Sequence, residues 1–117
     1  MSFWKQADNR ENHREKASEY LLADERLLQT YGLLKDFVAL TDRRVIFVGR
    51  SLISNRSEVI TIPYQKIEEV AILQDRKIAI TNPVRISTRS RNHQLNLVKG
   101  NDALGFYNQL VKYVLNT

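Results

Sequence analysis

The residues able to do chemistry are few and scattered. Ser51, Ser54 and Ser57 cluster with no histidine nearby, whereas a serine nucleophile needs a base and an orienting group within reach. Glu68 and Glu69 are adjacent on a stretch that reads as a strand, so their carboxylates point to opposite faces and cannot share a proton. His13 and His93 lie far apart and neither belongs to an HxxxH or HExxH spacing, which disfavours zinc. His93 stands beside a turn and reads as a solvated surface group rather than a base. The glycines at 32, 49, 100 and 105 build no GxGxxG or phosphate loop. Cysteine is absent, which excludes disulfides, thiolate metal sites and cysteine nucleophiles. The expectation is a protein that is not an enzyme and that carries no metal and no cofactor.

Cations offer more. Lys and Arg total 18 against 13 Asp and Glu, a net charge of +5, and the charge is uneven. The first 26 residues hold five basic and six acidic side chains, leaving +6 on the remainder. Arg76, Lys77, Arg85, Arg89, Arg91 and Lys99 follow one another with no acid between them. Arg85, Arg89 and Arg91 are separated by even steps of four and two, which on an extended strand puts them on one face. With Lys99 they form a candidate anion-binding surface, each cation adding about 1 kcal/mol near an anionic membrane. The simpler reading is a solvated outer face that discourages edge pairing. Single-strand nucleic-acid binders interleave cations with stacking aromatics. Residues 76–99 contain no aromatic ring but that of His93, so nucleic acid is not the expected partner.

These residues must be carried by one domain, since 117 residues leave little room for a second. No run of 18 apolar residues exists, so no spanning helix is expected. Met1 to Arg10 lacks an apolar signal core, which predicts a cytoplasmic protein, at most peripheral to the membrane. Residues 5–19 are helix formers without Gly or Pro and predict a helix with one weak apolar stripe. Ahead of it, Phe3 and Trp4 either cap a groove on their own domain or anchor a neighbouring subunit.

From Leu27 the hydrophobic period becomes two. Extended stretches are predicted at 27–34, 36–41, 44–49, 58–63, 67–73, 77–81, 84–89 and 93–98, joined by short turns as in an antiparallel meander. Asn82-Pro83 falls between 77–81 and 84–89, which are either one strand broken at Pro83, because proline cannot donate to a ladder, or two strands with altered pairing. In 36–41 and 44–49 both faces are apolar, unlike a half-exposed antiparallel strand. Val38, Leu40, Ile46 and Val48 are therefore candidates for a covered second face. One cover is the domain core; the other is the N-terminal helix or another chain. Asp42 is expected to brace the 41–43 turn by pairing with Arg43 or Arg44. Tyr64, after Pro63, is expected to bury its ring at a sheet corner and reach a backbone group with its hydroxyl. Asn101 or Asp102 is a helix cap, followed by Ala103, Phe106, Tyr107, Leu110, Val111 and Val114 at helical spacing.

The local sequence resembles the bacterial pleckstrin-homology-like domain family over roughly residues 20–117. The residues that carry the resemblance are Tyr20 to Arg26, the Lys35-to-Ile46 stretch with its Thr41-Asp42-Arg43-Arg44 turn, the Ile62-Pro63-Tyr64 corner and the closing Tyr107-to-Leu115 run. The Gly-rich turn usual after the third strand is replaced by Ser51 to Asn55. An acidic-Thr-Ala-Gly stretch after the fifth is replaced by Leu73-Gln74-Asp75. The resemblance implies a mainly β fold with helices. It would be an antiparallel barrel or sandwich of about seven strands capped by a C-terminal helix, with an N-terminal helix in front. It also implies a non-catalytic interaction module that assembles into a ring-like homo-oligomer.

The expected organisation is a helical extension at 1–22 and a pleckstrin-homology-like domain at 23–117. The expected function is self-association, scaffolding an unidentified protein partner. Phe3, Trp4, Lys35, Asp36, Val38, Leu40, Ile46 and Val48 would form the subunit interface. The alternative is binding of an anionic membrane lipid or another phosphate-bearing ligand through the basic 76–99 stretch.

Overall fold

The computed structural model of the chain describes residues 8–34, 36–50, 56–73, 81–98 and 102–117. Among the described residues seven antiparallel strands lie in two sheets, with one helix before them and one after. Helix α1 is Glu11–Ser18; strands β1 Leu27–Gly32, β2 Phe37–Thr41, β3 Arg44–Arg50 and β4 Ser57–Pro63 form the first sheet in that order. Strands β5 Ile67–Ile72, β6 Thr81–Thr88 and β7 Asn92–Val98 form the second, and helix α2 is Ala103–Leu115. The sheets approach where Leu33 bridges Leu97 and the Leu34 amide donates to the Asn96 carbonyl at 3.0 Å. On the other side they are joined through a 3₁₀ turn, Tyr64–Lys66.

The two-sided apolar hairpin is explained within the chain. Val38 pairs with Phe47 and Leu40 with Val45, and these face the barrel core with Val84, Ile86, Leu95 and Leu97. Phe37 pairs with Val48 and Ala39 with Ile46 on the opposite face, under α1 and the segment after it. Tyr20, Leu21 and Leu27 pack there, while Ala17 is the one fully buried residue of α1. The His13 ring stacks on Phe37 at 4.9 Å between centroids and 22° between planes. A helix with so few apolar residues docks because the sheet supplies the apolar surface and it needs only a thin stripe to complete it.

Helix α2 closes the barrel. Phe106 and Leu110 are fully buried in the main core, and Tyr31 meets Phe106 edge-to-face at 4.9 Å. Asp102 caps its first turn by accepting from the Gly105 amide at 2.9 Å. Tyr64 behaves as its sequence context predicts. Its ring is buried and stacked on Tyr113 at 5.1 Å, and its hydroxyl donates to the Thr41 carbonyl at 2.6 Å.

Pro83 sits inside β6, the middle strand of its sheet, rather than ending it. Its carbonyl accepts from the Leu73 amide at 3.0 Å. A residue's N–H and C=O project to the same side of an antiparallel strand, so the missing donor of Pro83 faces the end of β5 and leaves the β7 ladder intact. Residues 84–88 of the expected 84–89 stretch are thus part of β6, and most of the separate stretch expected at 77–81 lies outside the described residues.

Candidate functional site

Two polar constellations stand out, and their surroundings separate their roles. The first is Glu25 with Arg44. The Glu25 side chain is fully buried, and Arg44 grips it through Nε to Oε2 and Nη2 to Oε1, both 2.8 Å. Thr41 Oγ1 donates to Glu25 Oε2 at 2.6 Å, and the Leu22 amide donates to Oε1 at 3.0 Å. Arg44 also donates to the Tyr20 carbonyl at 2.7 Å and to Thr61 Oγ1 at 2.8 Å. The carboxylate is held down to about 2, first by the Arg44 hydrogen bonds, with Thr41 and the Leu22 amide adding to them against desolvation. Each Glu25 carboxylate oxygen takes two donors from the same chain, so the cluster fastens the 20–25 segment to the β2–β3 turn and leaves this carboxylate no capacity for a ligand. Asp42 does not pair with Arg43 or Arg44. Its Oδ1 accepts from the Arg26 amide at 3.0 Å, and Arg43 pairs with Asp24 at 2.7 Å.

The second constellation opens to solvent. A cleft of about 530 Å³ runs between β4, the corner after it and the turn joining β6 to β7, within the size range of ordinary binding clefts. Lys66, Arg89 and Arg91 line it, and Glu68 is its single acid. None of the three cations is in an ion pair with a described carboxylate. Thr61, Gln65, Thr88 and Ser90 supply further hydrogen-bonding groups. The turn is set by Thr88, whose amide donates to the Arg91 carbonyl at 2.9 Å. Its hydroxyl also accepts from the Arg91 amide, at 3.4 Å.

His93 lines the cleft floor. It is 7% exposed and meets Phe47 edge-to-face at 6.3 Å, so it is not the solvated group its neighbours in sequence suggest. Desolvation, then the nearby Arg91 charge, pushes its imidazole below the usual histidine range, against a weaker pull from Glu58. Neutral at pH 7, it could accept or donate a hydrogen bond there, but no carboxylate orients it and no nucleophile is paired with it among the described residues. No group of three His, Asp or Glu side chains able to hold a metal occurs among the described residues. No described helix is long and apolar enough to cross a membrane.

The cations expected to share one face are separated. β6 ends at Thr88, so Arg89 and Arg91 project from the turn into the cleft, while Arg85 lies back on the strand and pairs with Glu69 at 3.1 Å. Lys99 lies outside the described residues, as do Arg76 and Lys77. Of the residues expected at a subunit interface, Val38 and Leu40 are in the barrel core, and Ile46 and Val48 are under α1. The chain itself buries all four. Asp36 occupies the β1–β2 turn with φ 70°, its carbonyl accepting from the Leu33 amide at 3.0 Å. Asp tolerates that left-handed conformation. Phe3, Trp4 and Lys35 lie outside the described residues. Lys66 and the exposed edge of β4 went unpredicted. The signal available for Lys66 was its position directly after the Ile62-Pro63-Tyr64 corner.

Comparison with known proteins agrees with this architecture. The chain matches the family described as bacterial PH domain over residues 1–114. It is 27% identical over 94 residues to the uncharacterized protein YozO of Bacillus subtilis strain 168, spanning 80% of this chain and 82% of that one. The fold is similar to the crystal structure of a pleckstrin homology domain from Shewanella amazonensis SB2B. The TM-score there is 0.70 at 17% identity, over 89% of this chain and 86% of the other. A duf1696 family protein with a pleckstrin-homology domain from Shewanella loihica PV-4 superposes with TM-score 0.71 at 14% identity, over 89% and 92%. A family match that runs from residue 1 into α2 covers both sheets and both helices, and on it the chain belongs to the bacterial PH domain family.

Proposed function

We propose that this protein is a non-enzymatic binding module that takes an anionic partner in the cleft between β4 and the β6–β7 turn. The observation that carries the reading is the set of three cations, Lys66, Arg89 and Arg91, lining one concavity with no ion pair to a described carboxylate. Converging cations with hydroxyl and amide neighbours favour a carboxylate or phosphate, and Arg supports bidentate contact with either. Self-association through the 36–49 hairpin has less support. It would require α1 and the 20–27 segment to leave Phe37, Ala39, Ile46 and Val48, which they bury.

The test is amide spectroscopy of the full chain at low salt, titrated with tripolyphosphate, with phosphatidylglycerol vesicles and with a short acidic peptide. At least one probe is expected to shift Lys66, Arg89 and Arg91. The double variant Arg89→Glu, Arg91→Glu is expected to weaken that binding about tenfold or more while keeping the folded spectrum. Silence toward all three probes overturns the proposal.

A further inference from the structure

Four consecutive residues of β4, Ile60, Thr61, Ile62 and Pro63, line the cleft. Successive side chains on a strand point to opposite faces. A run of consecutive lining residues therefore means that the strand presents its edge, the main chain itself, to the cleft. Among the described residues β4 is the last strand of its sheet and pairs only with β3. Every second residue of such a strand turns its N–H and C=O away from its one neighbour. The facing wall is the β6–β7 turn, which carries Arg89 and Arg91, and β5 begins with a bulge that leaves Glu68 outside the ladder. Val59, near the middle of β4, is 43% exposed.

From this we infer that the anionic partner is an extended acidic peptide segment, added as an antiparallel or parallel strand along β4. Its carboxylates would meet Lys66, Arg89 and Arg91. The inference rests on the anion-binding reading above and names the class of ligand. A free strand edge gives main-chain hydrogen bonds to any extended peptide, and flanking side chains select which one. Here the selecting groups are cationic, so an acidic segment is matched and a basic one is repelled. A phosphate or a lipid headgroup would use the same cations but would have no use for the β4 edge. Charged residues beside an edge also serve to block edge-to-edge pairing, and the same experiment addresses that role.

The experiment uses the full chain and a synthetic peptide of alternating Glu and Val, with two further peptides, one N-methylated at the Glu residues and one at the Val residues. Charge and side chains are identical in the three, but each methylated peptide has one edge that cannot donate. Hydrogen exchange and amide shifts are read across residues 57–63. The expected result is binding of the first peptide, about tenfold slower exchange at alternate β4 amides, and a loss of affinity of about tenfold or more on N-methylation. Equal binding of the peptide methylated on either edge overturns strand addition and leaves the anion-binding reading standing. So does binding of tripolyphosphate or vesicles without the peptide. Protection of β4 that grows with protein concentration alone, with a dimeric mass by light scattering, makes a second copy the occupant and overturns the inference. If none of the peptide, tripolyphosphate and vesicles binds, both readings fall.

Discussion

Glu25 is the residue on which acid stability turns. Its ordinary value near 4.5 falls to about 2 in the fold, chiefly through the Arg44 hydrogen bonds. The depressed value means that the contribution is fully present above about pH 4.5 and is lost as pH falls through about 2. The shift corresponds to roughly 3–4 kcal/mol, since each unit is about 1.4 kcal/mol. Urea unfolding at neutral pH and near pH 3 is expected to show a part of this loss. Arg44→Met leaves the carboxylate buried and unpaired, at a cost of about 3–5 kcal/mol near neutrality. That penalty is expected to shrink as pH falls below about 4.5, where the wild type loses the pair's contribution and the variant's unpaired carboxyl is free to take a proton. A penalty independent of pH would mean that the pair does not carry the stability assigned to it. The histidines act in a higher window. Burial lowers both His13 and His93, with Arg10 adding to the first and Arg91 to the second. Both bind a proton less readily in the fold than in the unfolded chain, so stability falls as pH drops below about 6.5, where the unfolded chain binds more protons. His13→Phe, which keeps a ring against Phe37, is expected to reduce that slope without unfolding the chain. An unchanged midpoint-versus-pH profile would contradict the buried stack.

Among the elements, the turns and caps repay local tests. Asp36 holds φ 70° between β1 and β2. Asp36→Gly is expected to be neutral or stabilising, and Asp36→Val to cost about 1–3 kcal/mol, because a β-branched residue is strained there. Asp102→Ala, which removes the cap on the Gly105 amide, is expected to cost about 1 kcal/mol in thermal or urea unfolding. Strand positions and α2 were legible in the sequence because alternation and helical spacing follow from which face is buried. The β2–β3 hairpin was legible as covered on both sides, and its second cover was open between α1 and another chain. α1 has too little apolar surface to announce a docking partner; the buried Ala17 and the His13–Phe37 stack show it as part of the cover, completed by Tyr20, Leu21 and Leu27 after it. The Pro83 strand was misread as interrupted, since a proline is harmful only toward a partner that needs its N–H.

For the whole molecule, a +5 chain offered a basic stretch in its second half, and folding redistributes it. Arg85 is taken up by Glu69, while Arg89 and Arg91 are carried by the turn toward Lys66, a residue from a different sheet corner. Sequence spacing could place Arg89 and Arg91 near each other. It could not bring in Lys66 or expose the edge of β4, because both depend on how the two sheets part after Pro63. The resulting account is of a small barrel sealed at α2 and under α1, with one open cationic seam. The most direct measurement of that claim is the affinity of the wild-type chain for the alternating Glu and Val peptide against that of the Arg89→Glu, Arg91→Glu variant, at low and at high salt. The account predicts salt-weakened binding that maps to Lys66, Arg89, Arg91 and residues 57–63, and a drop of about tenfold or more in the variant. Equal affinity in the two proteins, or shifts confined to another surface, would contradict it.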